Sequence, residues 1–120
     1  MEFDSSQPIW QQLVAEFTRR IIIGEWKPGM KMPSTRELAL EYKVNPNTVQ
    51  RALTELDRNG TTRSERTTGR FVNDDTEALN DLRNESAREI ITTAIEQLQG
   101  LDVTRERAVE LLNTYWETHD

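Results

Sequence analysis

Residues 34–60, STRELALEYKVNPNTVQRALTELDRNG, decide the fold of this 120-residue chain. They begin with STRE, the pattern of a capping box, in which Ser and Glu side chains each satisfy a backbone N–H at a helix start. Leu38, Ala39 and Tyr42 then recur at helical spacing. The segment therefore predicts a short helix that starts at Ser34 and buries one side.

A second helix is predicted to follow after the turn Lys43-Val44. Asn45 is a favourable N-cap, and Pro46 suits the first helical position, where its missing N–H costs nothing. The apolar positions keep a helical spacing until Gly60 ends the helix: Val49, Ala52, Leu53 and Leu56. Two short capped helices joined by a turn of about three residues form a helix-turn-helix.

The sequence before this motif predicts one more helix, from Pro8 to Gly24. Its apolar residues recur every three or four positions: Ile9, Trp10, Leu13, Val14, Phe17 and Ile21. Residues 25–29, EWKPG, then favour a tight turn centred on Pro28 and Gly29.

The sequence after the motif, TTRSERTTGRFV at 61–72, predicts a short β-hairpin with its turn near residues 67–69. The strand pattern is weak, because Thr61 and Thr62 occupy positions where a wing strand often carries apolar residues. A helix-turn-helix followed by such a hairpin is a winged helix.

From Asp74 onward the pattern is helical again. Acidic residues at 74–77 suit a helix start, a helix of about 23 residues is expected from about residue 76 to Gly100, and a last helix begins at Thr104. The long helix has more apolar surface than the small winged domain can cover, so we expect a homodimer. Its predicted contacts are Leu79, Leu82, Ile90, Ile91, Ala94, Ile95, Leu98, Leu111, Leu112 and Tyr115.

The predicted fold class is therefore mainly α. A winged helix-turn-helix of three helices and a small hairpin occupies residues 1–73, and two dimerisation helices occupy residues 74–120.

Charge is distributed unevenly between these regions. Residues 1–72 carry eleven Lys or Arg against nine Asp or Glu, whereas residues 73–120 carry four against twelve. The chain as a whole has a net charge of −6, but its first part is slightly basic. We therefore expect the first part to approach a polyanion and the acidic part to face away from it.

The chain lacks the residues that several classes of function require. The chain has no cysteine and a single histidine, His119, next to its end, and it contains no phosphate-cradling glycine loop. We expect no enzyme activity, no metal and no other cofactor. Neither a membrane span nor a signal peptide is indicated, so the expected location is the cytoplasm.

Four segments resemble the winged helix-turn-helix of GntR-type regulators: GMKMPSTRELA at 29–39, VNPNTVQRAL at 44–53, Leu56 with Gly60, and GRFV at 69–72. The resemblance covers roughly residues 8–72. With only 48 residues after residue 72, the chain is similar to the short YtrA-type branch. Members of that branch use their C-terminal helices mainly for dimerisation and commonly repress operons for ABC-type transporters.

Two departures from the family pattern affect the wing. Thr67 replaces the first glycine of the Gly-x-Gly usual at the wing tip, and Thr61 and Thr62 replace apolar residues. Both put the geometry of the wing in question and leave the helix-turn-helix intact.

The second helix of a helix-turn-helix places its N-terminal residues against base edges in the major groove. The candidates here are Asn47, Thr48, Gln50 and Arg51, whose side chains suit adenine, thymine methyl groups and guanine. On an ordinary surface helix the same residues would simply be solvated. Which of them read bases and which bind phosphates stays open.

Further contacts are expected from the preceding helix and from the wing. Ser34 and Arg36 lie at a helix start, which suits a phosphate. Ser34 also caps the helix, and the alternative for Arg36 is a plain surface charge. The wing tip would contribute Thr68, Gly69 and Arg70. Arg63 and Arg66 are as well explained as solvated charges.

The predicted function is a transcription regulator, most simply a repressor, that binds pseudo-palindromic double-stranded operator DNA as a homodimer. Its small-molecule effector is unknown. The alternative is an architectural or partner-binding winged-helix protein without operator specificity. A discrete inverted repeat in a footprint separates the two.

Overall fold

The computed structural model describes residues 1–119. Within them the chain forms five α-helices and two β-strands: α1 Ile9–Ile22, α2 Thr35–Tyr42, α3 Pro46–Arg58, β1 Thr62–Glu65, β2 Gly69–Val72, α4 Thr76–Gly100 and α5 Arg105–Glu117. This confirms the predicted fold class, a mainly helical chain with a small hairpin after the third helix.

The predicted caps of α2 and α3 are present. Ser34 Oγ accepts a hydrogen bond from the Glu37 N–H at 3.1 Å, and Glu37 Oε1 accepts one from the Ser34 N–H at 3.3 Å. Asn45 Oδ1 accepts from the Asn47 N–H at 2.8 Å, and Pro46 is the first residue of α3. The turn between the two helices needs a left-handed residue, and Lys43 supplies it with φ of +56°.

The first compact unit, Met1–Arg83, has a continuous apolar core. Helices α1 and α2 both pack against α3, and Phe17 lies at its aromatic centre, with ring centroids 5.5 Å from Trp26 and 5.4 Å from Tyr42. The buried apolar side chains are Leu13, Phe17, Ile21, Trp26, Met32, Leu38, Ala39, Val49, Ala52, Leu53, Leu56, Val72 and Leu79.

The wing is held from two sides. Strand β2 pairs antiparallel with β1, and its other edge bonds the segment 29–32, which follows the Pro28-Gly29 turn. Gly29 N–H donates to the Val72 carbonyl at 3.0 Å, and Met32 N–H donates to the Arg70 carbonyl at 2.8 Å. The sequence predicted the Pro28-Gly29 turn, in which Gly29 has φ of +77°. It did not predict that the segment after the turn pairs with β2.

The second compact unit, Asn84–Asp120, contains the rest of α4 and all of α5. None of its described residues is buried. Among its large apolar residues, the most exposed are Leu101 at 74%, Ile90 at 71% and Trp116 at 68%. Among residues 1–119, no helix has both the length and the hydropathy that crossing a bilayer requires.

The division between the units lies inside α4, after Arg83. Leu79 is buried in the core of the first unit, and Leu82 packs against that core. These two members of the predicted dimer face therefore already contact apolar partners in their own chain, whereas the other members lie in the second unit.

Candidate nucleic-acid interface

Helix α3 has one buried side and one exposed side. Val49, Ala52, Leu53 and Leu56 face the core, which fixes the helix against α1 and α2. The opposite side exposes Asn47, Gln50 and Arg51, with Thr48 partly exposed. The residues predicted to read bases thus share the exposed N-terminal half of one firmly packed helix.

Gln50 is held between two helices. The Thr35 hydroxyl of α2 donates to Gln50 Oε1 at 2.9 Å, and Gln50 Nε2 donates to the Thr54 hydroxyl at 3.4 Å. The carboxamide oxygen keeps a second lone pair, so a bidentate contact with adenine is still available.

Arg51 lies over the ring of Trp10, with its guanidinium carbon 4.2 Å from the ring centroid. Across residues 1–119, its guanidinium makes no ion pair within 4.0 Å. A cation held over an aromatic face in this way is attracted by the ring quadrupole.

At the start of α2, Ser34 is engaged in the capping box, while Arg36 is exposed and forms no ion pair with another described residue. The Ser34 side chain accepts a hydrogen bond from the N–H of Glu37 only. The remaining N–H groups of the first turn have no partner within the helix. This end of α2 presents the Arg36 guanidinium and free N–H groups beside the Glu37 carboxylate.

At the wing tip, the Thr68 hydroxyl donates to Glu65 Oε2 at 3.0 Å. Gly69 has φ of +112°, and a Cβ there would lie 3.0 Å from Lys31 Cε. The wing tip and the start of α2 line one shallow concavity together with Lys31.

Arg70 is held at the base of the wing by Asp57, near the end of α3. Its Nε lies 3.1 Å from Asp57 Oδ1, and one terminal nitrogen lies 3.1 Å from Oδ2. The hydroxyls of Thr62 and Ser64 also donate to this carboxylate, each at 2.6 Å. We call these four residues the Asp57 cluster.

The charge of Asp57 is stabilised by its partners. Partial burial raises the pKa of its carboxyl, but the hydrogen bonds from Arg70, Ser64 and Thr62 lower that pKa by more. The net pKa is below its ordinary value. The ionised carboxylate thus ties the hairpin to α3.

Comparison with known proteins decides the family. Residues 10–72 match the family described as bacterial regulatory proteins, gntR family. The chain belongs to the GntR family. It is therefore a DNA-binding transcription regulator and not an enzyme.

Individual relatives extend the similarity of this GntR regulator beyond the winged helix. It is 35% identical over 116 residues to the uncharacterized HTH-type transcriptional regulator YhcF of Bacillus subtilis, covering 97% of this chain and 96% of that protein. It is 40% identical over 70 residues to the HTH-type transcriptional repressor YtrA of the same organism, covering 58% of this chain and 54% of that protein.

Among solved structures, a GntR family transcriptional regulator from Listeria monocytogenes matches with a TM-score of 0.87 and 31% identity, covering 93% of this chain and 98% of that one. YtrA from Sulfolobus acidocaldarius, a GntR-family transcription factor, matches with a TM-score of 0.54 and 28% identity, covering 98% and 96%. Both matches extend over the C-terminal helices as well.

Most arginines of this GntR chain's first unit are paired with carboxylates: Arg19 with Glu16, Arg20 with Glu25 and Glu41, Arg58 with Glu55, Arg63 with Glu65 and Asp74, and Arg70 with Asp57. Within residues 1–83, Arg83 forms no ion pair with a described residue but donates to Asn80 Oδ1 and to the Ile22 carbonyl. The guanidinium groups of Arg36, Arg51 and Arg66 form neither an ion pair nor a hydrogen bond with a described residue. Their charges need no rearrangement before they meet a phosphate or a base.

Sequence reasoning missed two features of the interface. Trp10 was assigned to the apolar stripe of α1, and its contact with Arg51 joins residues that no local pattern connects. Asp57 was not singled out, although an acid five residues before Thr62 at a helix end was a possible signal.

Proposed function

We propose that this GntR chain is a cytoplasmic transcriptional repressor that binds a pseudo-palindromic operator as a homodimer. The observation that carries the proposal is the apolar stripe on α4 and α5, exposed in the second unit of a chain whose first unit presents an open recognition helix. The YtrA relative, named a transcriptional repressor, supports repression as the mode of action.

The stripe on α4 has helical spacing. Ala87, Ile90, Ile91, Ala94 and Ile95 recur at intervals of three and four, which places them on one side of the helix. Ile91 is 57% exposed and Ile95 47% exposed. An apolar face of this size is typical of an association surface.

Helix α5 carries a similar face, formed by Leu111, Leu112 and Tyr115. A second copy of the chain offers the same two faces, and isologous contact between identical patches generates a closed two-fold dimer. The dimerisation region 74–120 is thus proposed to act through its part beyond Arg83.

The proposed DNA contacts fall into two groups. Asn47, Thr48, Gln50 and Arg51 enter the major groove, where bidentate Arg–guanine and Gln– or Asn–adenine pairs specify sequence. Phosphate contacts come from the start of α2 and from the wing, and they set register without reading sequence: Ser34, Arg36, Thr68, Gly69 and Arg70. For Arg70 the contact uses the terminal nitrogen that does not bond Asp57.

Two-fold symmetry sets the form of the operator. Two recognition helices related by a two-fold axis require half-sites about one DNA turn, roughly 34 Å, or a multiple of it apart. Occupation of such a site in a promoter represses by excluding polymerase. An effector that alters the dimer geometry would spoil the half-site spacing and release the DNA. We further propose a transporter operon of the ABC type as the regulated target.

The test begins with genomic fragments selected by the purified full chain and sequenced. We expect a discrete inverted repeat, and sedimentation at micromolar concentration should give a dimer. Scattered fragments without a common repeat would favour the architectural alternative, and a monomer would overturn the dimer mechanism.

A matched pair of variants tests the groove assignment. Arg51→Ala should weaken binding to the operator by roughly 1–3 kcal/mol and relax the preference at one guanine. Arg58→Ala removes an arginine from the other end of α3, where it pairs with Glu55, and should leave sequence preference unchanged. An unchanged preference in Arg51→Ala would remove Arg51 from the base-reading set.

A further inference from the structure

We propose that Trp10 is a positioning residue that presents Arg51 to a guanine of the operator. The inference deepens the proposed function, since it rests on Arg51 entering the major groove. It assigns a role in DNA specificity to a residue of α1, outside the helix-turn-helix.

The contact is a stack between two elements. The Arg51 guanidinium lies 4.2 Å from the centroid of the Trp10 ring, inside the range of about 6 Å over which a cation–π contact is effective. Trp10 is the second residue of α1, and α1 packs directly on α3.

The ring rests on a rigid support. Leu13 and Phe17, one and two turns further along α1, are completely buried in the core. The preceding segment is also fastened to the helix, because Gln12 Nε2 donates to the carbonyl oxygens of Asp4 and Gln7. The backbone that carries Trp10 is therefore held in place against α3.

Stacking leaves the hydrogen-bonding edge of Arg51 available. A guanidinium has five N–H donors in one plane, and those of Arg51 make no hydrogen bond to another described residue. Arg58 and Arg70, in contrast, direct their donors to Glu55 and Asp57. A bidentate contact with guanine requires two free coplanar donors, and Arg51 has them.

The Trp10 ring is proposed to order the Arg51 side chain before DNA binds. A free arginine side chain populates many rotamers, and fixing it on binding costs conformational entropy. A guanidinium already held over Trp10 loses less on meeting a base. If Trp10 instead held Arg51 away from DNA, removal of the ring would strengthen DNA binding.

The binding test uses the full chain and the operator selected above. Trp10→Leu should weaken operator binding about 3- to 10-fold and reduce the preference for guanine over adenine at the base that Arg51 reads. Trp10→Tyr keeps an aromatic face and should restore most of both. Thermal melting confirms that each variant is folded.

A double-mutant cycle separates positioning from general support of the fold. In an Arg51→Ala background, Trp10→Leu should cause no further loss. An equal loss in both backgrounds, tighter binding by Trp10→Leu, or an unchanged guanine preference would each overturn the proposal.

A measurement on the free protein does not depend on DNA. The ring current of Trp10 should shift the side-chain proton resonances of Arg51 upfield, and Trp10→Leu should abolish that shift. No upfield shift in the wild type overturns the stack itself. A missing operator would defeat the proposed function and base reading together, whereas an operator read independently of Trp10 defeats only this inference.

Discussion

The two compact units of this chain use apolar side chains in opposite ways. Residues 1–83 bury one continuous apolar core that includes Phe17, although Ile23 and Leu40 of that unit are exposed, whereas in residues 84–119 the described apolar side chains are partly or largely exposed. Burial of apolar surface is the main driving force of folding. The first unit therefore contains the source of its own stability, whereas the second leaves its described apolar side chains largely in contact with solvent.

The largest expected effect comes from a charge on the exposed face of α4. Burial of each Ile91 is worth about 1.5–3 kcal/mol and a dimer has two copies, so Ile91→Glu should raise the dissociation constant about 100-fold or more. Thr93→Glu introduces the same charge on another side of α4 and should leave association nearly unchanged. Sedimentation equilibrium measures both, and equal effects would show that this face is not the interface.

The next effect concerns the core. Leu53 of α3 is fully buried, so Leu53→Ala should lower the free energy of unfolding of the first unit by about 2–5 kcal/mol. Leu112→Ala makes the same change at a side chain 58% exposed in the single chain. It should weaken association but leave hydrogen-exchange protection of the α3 amides unaltered. Loss of that protection in Leu112→Ala would contradict the claim that the first unit is stable independently of the second.

A smaller effect is expected at the base of the wing. Asp57→Ala leaves Thr62 and Arg70 without their shared acceptor and should cost about 1–3 kcal/mol of stability, with weaker DNA binding. Glu55→Ala breaks an ion pair of the same helix whose arginine, Arg58, is 72% exposed, against 16% for Arg70, and should change the denaturation midpoint much less. If the two midpoints shift equally, the Asp57 cluster has no special role.

The smallest effect is a pH dependence. Because the pKa of Asp57 is lowered in the folded chain, its stabilisation is complete above the ordinary value of 3.8 and is lost as pH falls through the folded-state pKa. The stability difference between wild type and Asp57→Asn should therefore shrink on acidification below about pH 4. Urea denaturation at several pH values measures it, and a constant difference would contradict this assignment.

The sequence predicted the helix-turn-helix because its signals are local. The Ser34 capping box and the Asn45-Pro46 start each depend on residues within one helical turn. Apolar spacing likewise identified the core side of α3 without knowledge of its partners. The family resemblance then supplied the functional class, and the match to the GntR family confirms it.

What the sequence could not provide depends on side-chain contacts that apolar periodicity does not specify. Thr61 and Thr62 weakened the predicted strand pattern, yet both are buried, and their hydroxyls donate to Asn59 and Asp57. Buried hydroxyls are tolerated when they are hydrogen-bonded. The departure from the apolar family pattern thus has a local partner set that only the folded chain reveals.

Arg51 and Trp10 show the same limit for the interface. Both residues were noted in the sequence, one as a base reader and one as an apolar position of α1. Their contact depends on how α1 packs on α3, which periodicity does not specify. Which of Asn47, Thr48, Gln50 and Arg51 read bases stays a prediction.

The positions of the three tryptophans make the chain its own set of fluorescent reporters. Trp26 is 3% exposed beside Phe17, Trp10 lies under Arg51, and Trp116 is 68% exposed on α5. Variants that keep one indole at a time should give emission that follows, respectively, unfolding of the core, arrival of DNA, and pairing of chains. Three steps that a single binding curve merges could then be timed separately in one protein without an attached dye.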